Sequence, residues 1–133
     1  MDTQVFFLLE YNLQPLQMLL RGFRCSCFLP TDQEIGLSND AEDPDIIARV
    51  SQQKIDLGID RIIITRDKSF TTHLGNNKIK VIILNDKTKK HLFYNMRMKS
   101  LAKEIVATAQ NMLQKSQGEQ AIALLNALNS INN

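Results

Sequence analysis

The stretch Arg61-Ile62-Ile63-Ile64-Thr65-Arg66-Asp67-Lys68-Ser69-Phe70 decides the fold. Three consecutive isoleucines leave no polar face, and so short a β-branched run suits a strand of a parallel sheet, which is covered on both sides. Ile79 to Leu84 repeats the signal. The polar segment Arg66 to Asn77 between them, which carries Phe70, reads as a loop with one helical turn. Upstream, Gln4 to Leu9 is another short apolar run, bounded by Asn12 and Pro15, and Arg24 to Leu29 is a further one. Between these two, Leu13, Leu16, Met18, Leu19 and Leu20 recur with helical spacing up to a stop at Gly22. Asp43-Pro44 opens a second helix: Asp can cap, Pro fits the first helical position, and Ile46, Ile47 and Val50 supply the buried face as far as Leu57-Gly58. Strands alternating with helices predict an α/β sandwich around a central, mostly parallel sheet.

Past Thr88 the pattern turns helical. Leu101, Ala102, Ile105, Val106, Ala109, Met112 and Leu113 form one stripe; Ala121, Leu124, Leu125, Leu128 and Ile131 form another after Gly118. The expected organisation is an α/β core over residues 1–87 and a helical extension over 88–133 packed on the same domain. Both stripes would cover the sheet. Alternatively the last helix, polar at Asn126, Asn129, Asn132 and Asn133, would bind a partner subunit and make a homo-oligomer.

At 133 residues and 15.2 kDa the chain has room for one core and not for two ordinary domains. Its 44% hydrophobic and 23% charged residues exclude disordered and fibrous classes. No apolar run approaches the roughly 18 residues of a membrane helix, and Asp2 stands where a secretory signal would carry Lys or Arg. A cytoplasmic protein that does not enter the membrane is expected. Cys25 and Cys27, one residue apart on an expected strand, suit neither a strain-free disulfide nor a zinc spacing and read as reduced core thiols. The net charge of +2 is unevenly spread. Met1 to Asp45 holds eight acidic residues against two basic ones, whereas Lys78 to Lys103 holds eight basic residues against Asp86 alone. A polyanion held beside an acidic centre would fit that asymmetry.

In open α/β sheets function gathers beyond the carboxyl ends of the strands, and the acids are there. Glu10 follows the first strand directly, Asp67 follows the isoleucine strand by two residues, and Asp43 and Asp45 open the helix before that strand. In a parallel sheet these four carboxylates converge. Such a cluster repels itself and calls for a cation, and hard oxygen ligands select Mg²⁺ or Mn²⁺. The matching chemistry is metal-assisted phosphodiester hydrolysis. Each acid also has a plainer reading: Asp43 and Asp45 as helix caps, Asp67 as a turn residue, Glu10 as the partner of Arg66 or Lys68. No Gly-rich phosphate loop, Gly-x-Ser-x-Gly or paired-cysteine motif is present, and His73 and His91 are isolated in sequence. Lys87, Lys89, Lys90, Arg97 and Lys99 read either as a solvated face or as contacts to a nucleic-acid backbone.

Three motifs in order resemble a known family. Leu9-Glu10-Tyr11-Asn12-Leu13-Gln14-Pro15 resembles the opening strand and turn of PIN-like proteins, where Asp-Glu-Asn-Leu-x-Pro is usual. Glu34-Ile35-Gly36-Leu37 followed by Asp40-Ala41-Glu42-Asp43-Pro44-Asp45-Ile46 resembles their middle motif. Ile62 to Phe70 resembles their Thr-Arg-Asp-x-Asp-Phe after a hydrophobic strand. The resemblance covers Val5 to Leu84 and implies a PIN-like sandwich, Mg²⁺- or Mn²⁺-dependent ribonuclease activity, RNA as substrate, and an antitoxin partner, since many small bacterial relatives are toxins of toxin-antitoxin pairs. It implies Glu10, Asp43 and Asp67 as metal ligands, Asp45 as a fourth catalytic acid, Thr65 as a supporting hydroxyl and Asn12 as the turn amide. Glu10 stands where Asp is usual, Tyr11 where an acid is, and Ser69 where a second Asp is. The expectation is therefore a metal-dependent endoribonuclease, with Arg66, Lys68, Lys89 and Lys90 meeting nucleic acid and Asp45 assisting water. Its rivals are a PIN-like module that binds RNA or protein without cleaving, and a purely structural subunit.

Overall fold

A computed structural model describes residues 4–85, 98–116 and 118–126. Five strands form one sheet in which every neighbouring pair is parallel: β1 (Phe6–Leu9), β2 (Ser26–Phe28), β3 (Arg61–Thr65), β4 (Lys80–Asn85) and β5 (Ala121–Asn126), in the order β2-β1-β3-β4-β5. The α/β reading therefore stands, with a sheet wholly parallel among the described residues. β1 leads outward to β2, and the chain then returns across β1 to lay down β3. The connections thus leave β1 and β3 in opposite directions, and a crevice opens between their carboxyl ends.

The consecutive isoleucines serve both faces because strand side chains alternate. Ile62 and Ile64 join Phe7, Leu9, Cys27, Ile82 and Leu84 on one face. There the cover is a 3₁₀ segment (Tyr11–Leu16), α1 (Gln17–Gly22) and α3 (Met98–Lys115), through Leu13, Leu16, Leu20, Leu101, Ile105 and Ala109. Ile63 joins Leu8, Val81 and Ile83 on the other, beneath α2 (Asp43–Leu57) and a second 3₁₀ segment (Lys68–His73). α2 stops where expected, with Gly58 closing it at φ 70°, a left-handed conformation that a side chain would strain. Both cysteines are free and buried, and burial pushes the Cys27 thiol up to about 12, so it stays protonated.

One element differs in kind. Ala121 to Asn126 is a strand and not part of a second helix. Ala121, Leu124 and Leu125 match a helical spacing, but six residues also match a period of two: Ala121, Ala123 and Leu125 pack on the core while Ile122 and Leu124 stand exposed. The edge of β4 decides between the periods, because its unpaired backbone groups gain a full parallel ladder from Lys80↔Ala121 to Asn85↔Asn126. A homo-oligomer through paired C-terminal helices loses its basis in this segment. Lys87, Lys89, Lys90, Arg97 and Leu128 to Asn133 lie outside the described residues. No helix among the described residues is long and apolar enough to cross a membrane.

Candidate active site

A cavity of about 200 Å³ opens at the carboxyl ends of β1 and β3. Its apolar lining comes from Leu8, Ile46, Ile63 and Phe70, with Thr65 buried among them, and Glu10, Tyr11 and Asp43 line its more exposed side. The long loop Pro30 to Glu42, which has no helix or strand, supplies Pro30, Thr31, Ser38, Asn39 and Ala41 to the wall. Asp32 ties this loop down by accepting from Leu29 N at 2.8 Å and Gln17 Nε2 at 3.1 Å.

Of the expected acids, Glu10 and Asp43 line this cavity, and Asp67 touches Asp43 without lining it. Glu10 continues the ladder of β1, its N–H donating to Ile64 O at 2.9 Å, and its Oε2 accepts from Arg66 N at 3.0 Å. The acid after β1 and the turn after β3 are thereby clamped together. Asp67 is set by its own turn: its N–H donates to Thr65 Oγ1 at 3.0 Å, and its Oδ1 accepts from Ser69 N at 2.9 Å and Ser69 Oγ at 2.6 Å. Thr65 is buried at the strand end, with its hydroxyl oxygen taken up by Asp67 N. Ser69, where a second Asp is usual, is spent on positioning the first.

Asp43 escapes capping because the helix starts one residue earlier than its sequence suggests. Glu42 is the N-cap, Asp43 the first helical residue and Pro44 the second; Asp45, the third, turns back to accept from Glu42 N at 2.9 Å and completes a capping box. Asp45 thus lies outside the cavity that Asp43 lines, and the plainer reading fits it. The Asp43 carboxyl is pushed above the usual carboxylate range, first by burial, then by the charge of Asp67 and its hydrogen-bonding contact, with Glu10 adding repulsion. Asp67 moves the other way, held below that range chiefly by the two bonds from Ser69 and also by the contact with Asp43. The two carboxyls are thus in contact with their titrations pushed apart, Asp43 upward and Asp67 downward.

His73 is the residue that sequence reasoning passed over. It lines a shallow cavity with Glu42, Asp43 and Pro44, and its charge favours the ionised forms of both Asp43 and Asp67. The available signal was the 3₁₀ geometry after Asp67, in which residues three apart eclipse, so that Phe70 and His73 share a side. Of the remaining candidates, Lys68 is exposed one residue past Asp67 and Arg66 is half-buried. Asn12 is exposed on the first 3₁₀ segment and makes no side-chain hydrogen bond among the described residues.

No three His, Cys, Asp or Glu side chains among the described residues are grouped to hold one ion. A hard divalent ion does not require three: Mg²⁺ keeps several waters and is commonly bound by one or two carboxylates together with substrate phosphate. Asp43 and Asp67, in contact and all-oxygen, fit that description, with Glu10 close enough to raise Asp43 electrostatically. No protein-family model, curated protein or solved structure matches the chain.

Proposed function

We propose that the chain is a PIN-like, Mg²⁺- or Mn²⁺-dependent endoribonuclease. The observation that carries this reading is the Asp43–Asp67 carboxyl pair at the mouth of a cavity on the β1/β3 crevice, with Glu10 clamped beside it. Asp43 and Asp67 would hold the cation, which supplies neutralisation of phosphate charge and a more acidic water. Glu10, fixed through one oxygen by Arg66 N and expected from the sequence as a metal ligand, would instead take a proton from the attacking water, while Asp45, expected to assist water, is engaged in the capping box. Lys68 supplies positive charge for the strand on either side of the scissile phosphate. An antitoxin that covers the cavity is the protein partner this reading adds.

Incubation of a labelled single-stranded RNA with wild type, with and without Mn²⁺, tests it. Cleavage that needs the cation and falls by about a hundredfold or more in Asp43→Asn is expected, since loss of one metal-holding group removes neutralisation at the transition state. Cation-independent cleavage, or equal cleavage by the variant, contradicts it. A second reading, an RNA-binding module that does not cleave, is favoured by the small acidic set, with Asp45 spent in the capping box and Ser69 in place of an acid. Binding without hydrolysis in the same experiment selects that reading.

A further inference from the structure

We propose that Tyr11 is a stacking platform for one base of single-stranded RNA, which enters the cavity beside the acidic pair. Tyr11 follows Glu10 directly and opens the 3₁₀ segment, where Leu13 and Leu16 are fully buried and anchor the backbone. Tyr11 itself is 61% exposed, and its ring and hydroxyl have no partner among the described residues. The fold does not use it, yet it is held on a fixed backbone at the mouth of the cavity, above Leu8, Ile63 and Phe70. Asn39, on the facing loop wall, offers an amide donor and acceptor that no described residue takes up.

This chemistry suits a base better than a phosphate. Glu10 and Asp43 line the same cavity, so a phosphate inside it would be repelled whenever no cation is bound, whereas exposed Lys68 outside it can still attract the backbone. A base is neutral, presents a flat face to an aromatic ring and an apolar floor, and has edges for an amide such as that of Asn39. In a duplex that face is already stacked, so the site selects single strands. The identity of the strand rests on the ribonuclease reading, but its retention on Tyr11 does not require cleavage.

The test is equilibrium binding at low salt in EDTA, where cation-dependent hydrolysis is stopped. One probe is a labelled oligouridine; the other is the same sugar–phosphate strand without bases. Tyr11→Ala should weaken oligouridine binding by about five- to a hundredfold, the range of one base–aromatic stack, and leave the abasic strand unchanged. Tyr11→Phe should bind both as wild type does, and unfolding curves of Tyr11→Ala should match wild type because the ring is exposed. The platform is overturned if Tyr11→Ala binds oligouridine as wild type does, if it loses both probes equally, or if wild type fails to bind oligouridine. The ribonuclease reading fails separately, through absent cleavage in Mn²⁺, and that failure leaves a Tyr11-dependent affinity standing as evidence for the platform.

Discussion

At the amino ends of the strands the sheet buries two cations. Lys80, on the first residue of β4, is 0% exposed, and its ammonium meets Asp60 Oδ2 at 2.6 Å, with Lys54 3.7 Å from the other oxygen. Arg61, on the first residue of β3 and 3% exposed, donates to Gln53 Oε1 at 2.7 Å and lies over the rings of Phe28 and Phe6. At the carboxyl ends, about a strand's length away, Asp43 and Asp67 face each other with Glu10 close by, and the contact between them is of like charge. The first arrangement satisfies its charges internally and reads as structure. The second is held in place by Ser69, Thr65 and Arg66 N with two acids kept in contact, the kind of perturbed carboxyl pair found at functional sites.

The largest expected effect breaks the amino end. Asp60→Ala strands the Lys80 ammonium, and urea unfolding should show a loss of about 2–3 kcal/mol, below the range for a fully enclosed pair because Asp60 keeps some contact with water. Lys80→Met should cost clearly less, since it removes the buried charge together with its need for a partner. Equal losses would mean that the ion pair itself stabilises the fold and that no penalty attaches to the stranded ammonium.

The carboxyl end should respond in the opposite sense. Asp43 has a folded-state pKa above its unfolded value, so folding gains from its protonation at acid pH, and that gain is lost as pH rises through the folded pKa. Asp43→Asn should therefore leave the cation-free protein at least as stable as wild type at pH 7, with the advantage vanishing at acid pH. Asp67 behaves inversely: its lowered pKa gives stability that is present above the unfolded pKa and lost as pH falls through the folded one. Asp67→Asn should be near neutral, because the amide oxygen can still accept from Ser69 N while its contact with Asp43 no longer repels. Thermal unfolding across pH checks both, and the Mn²⁺-dependent rise in Tm should shrink in each variant. A strong loss in cation-free Asp43→Asn would make Asp43 a structural residue like Asp60.

The smallest effect concerns Lys68, which is exposed beside Asp67. Lys68→Glu should weaken RNA binding several-fold, alike across sequences, and flatten the dependence of log affinity on log salt by about one. An unchanged slope would remove Lys68 from the strand's path.

The same contrast explains what the sequence disclosed. Strands β1, β3 and β4, helix α2 and the places of Glu10 and Asp67 were legible because buried parallel strands are written as continuous apolar runs that these two acids follow at short offsets, and Asp43 because it opens α2. Asp45 misled because a helix start with acids at successive positions does not say which one caps; the capping box takes Asp45 and spares Asp43. β5 misled because six apolar residues fit two periods, and only the open edge of β4 chooses between them. Lys80 gave no signal, since one lysine in an apolar run reads as exposed until Asp60 is brought to it from a residue twenty positions away. The role of His73 beside Asp43 depends in the same way on where α2 lands over the second 3₁₀ segment.

The most direct test of the central claim, that the carboxyl end is a cation site and the amino end is not, is calorimetric titration of Mn²⁺ into wild type, Asp43→Asn, Asp67→Asn and Asp45→Asn at pH 7. One Mn²⁺ should bind wild type and Asp45→Asn with equal affinity, because Asp45 is engaged in the capping box, and loss of either ligand should weaken binding by about tenfold or more. Equal affinity in wild type, Asp43→Asn and Asp67→Asn, or a loss confined to Asp45→Asn, would contradict the account.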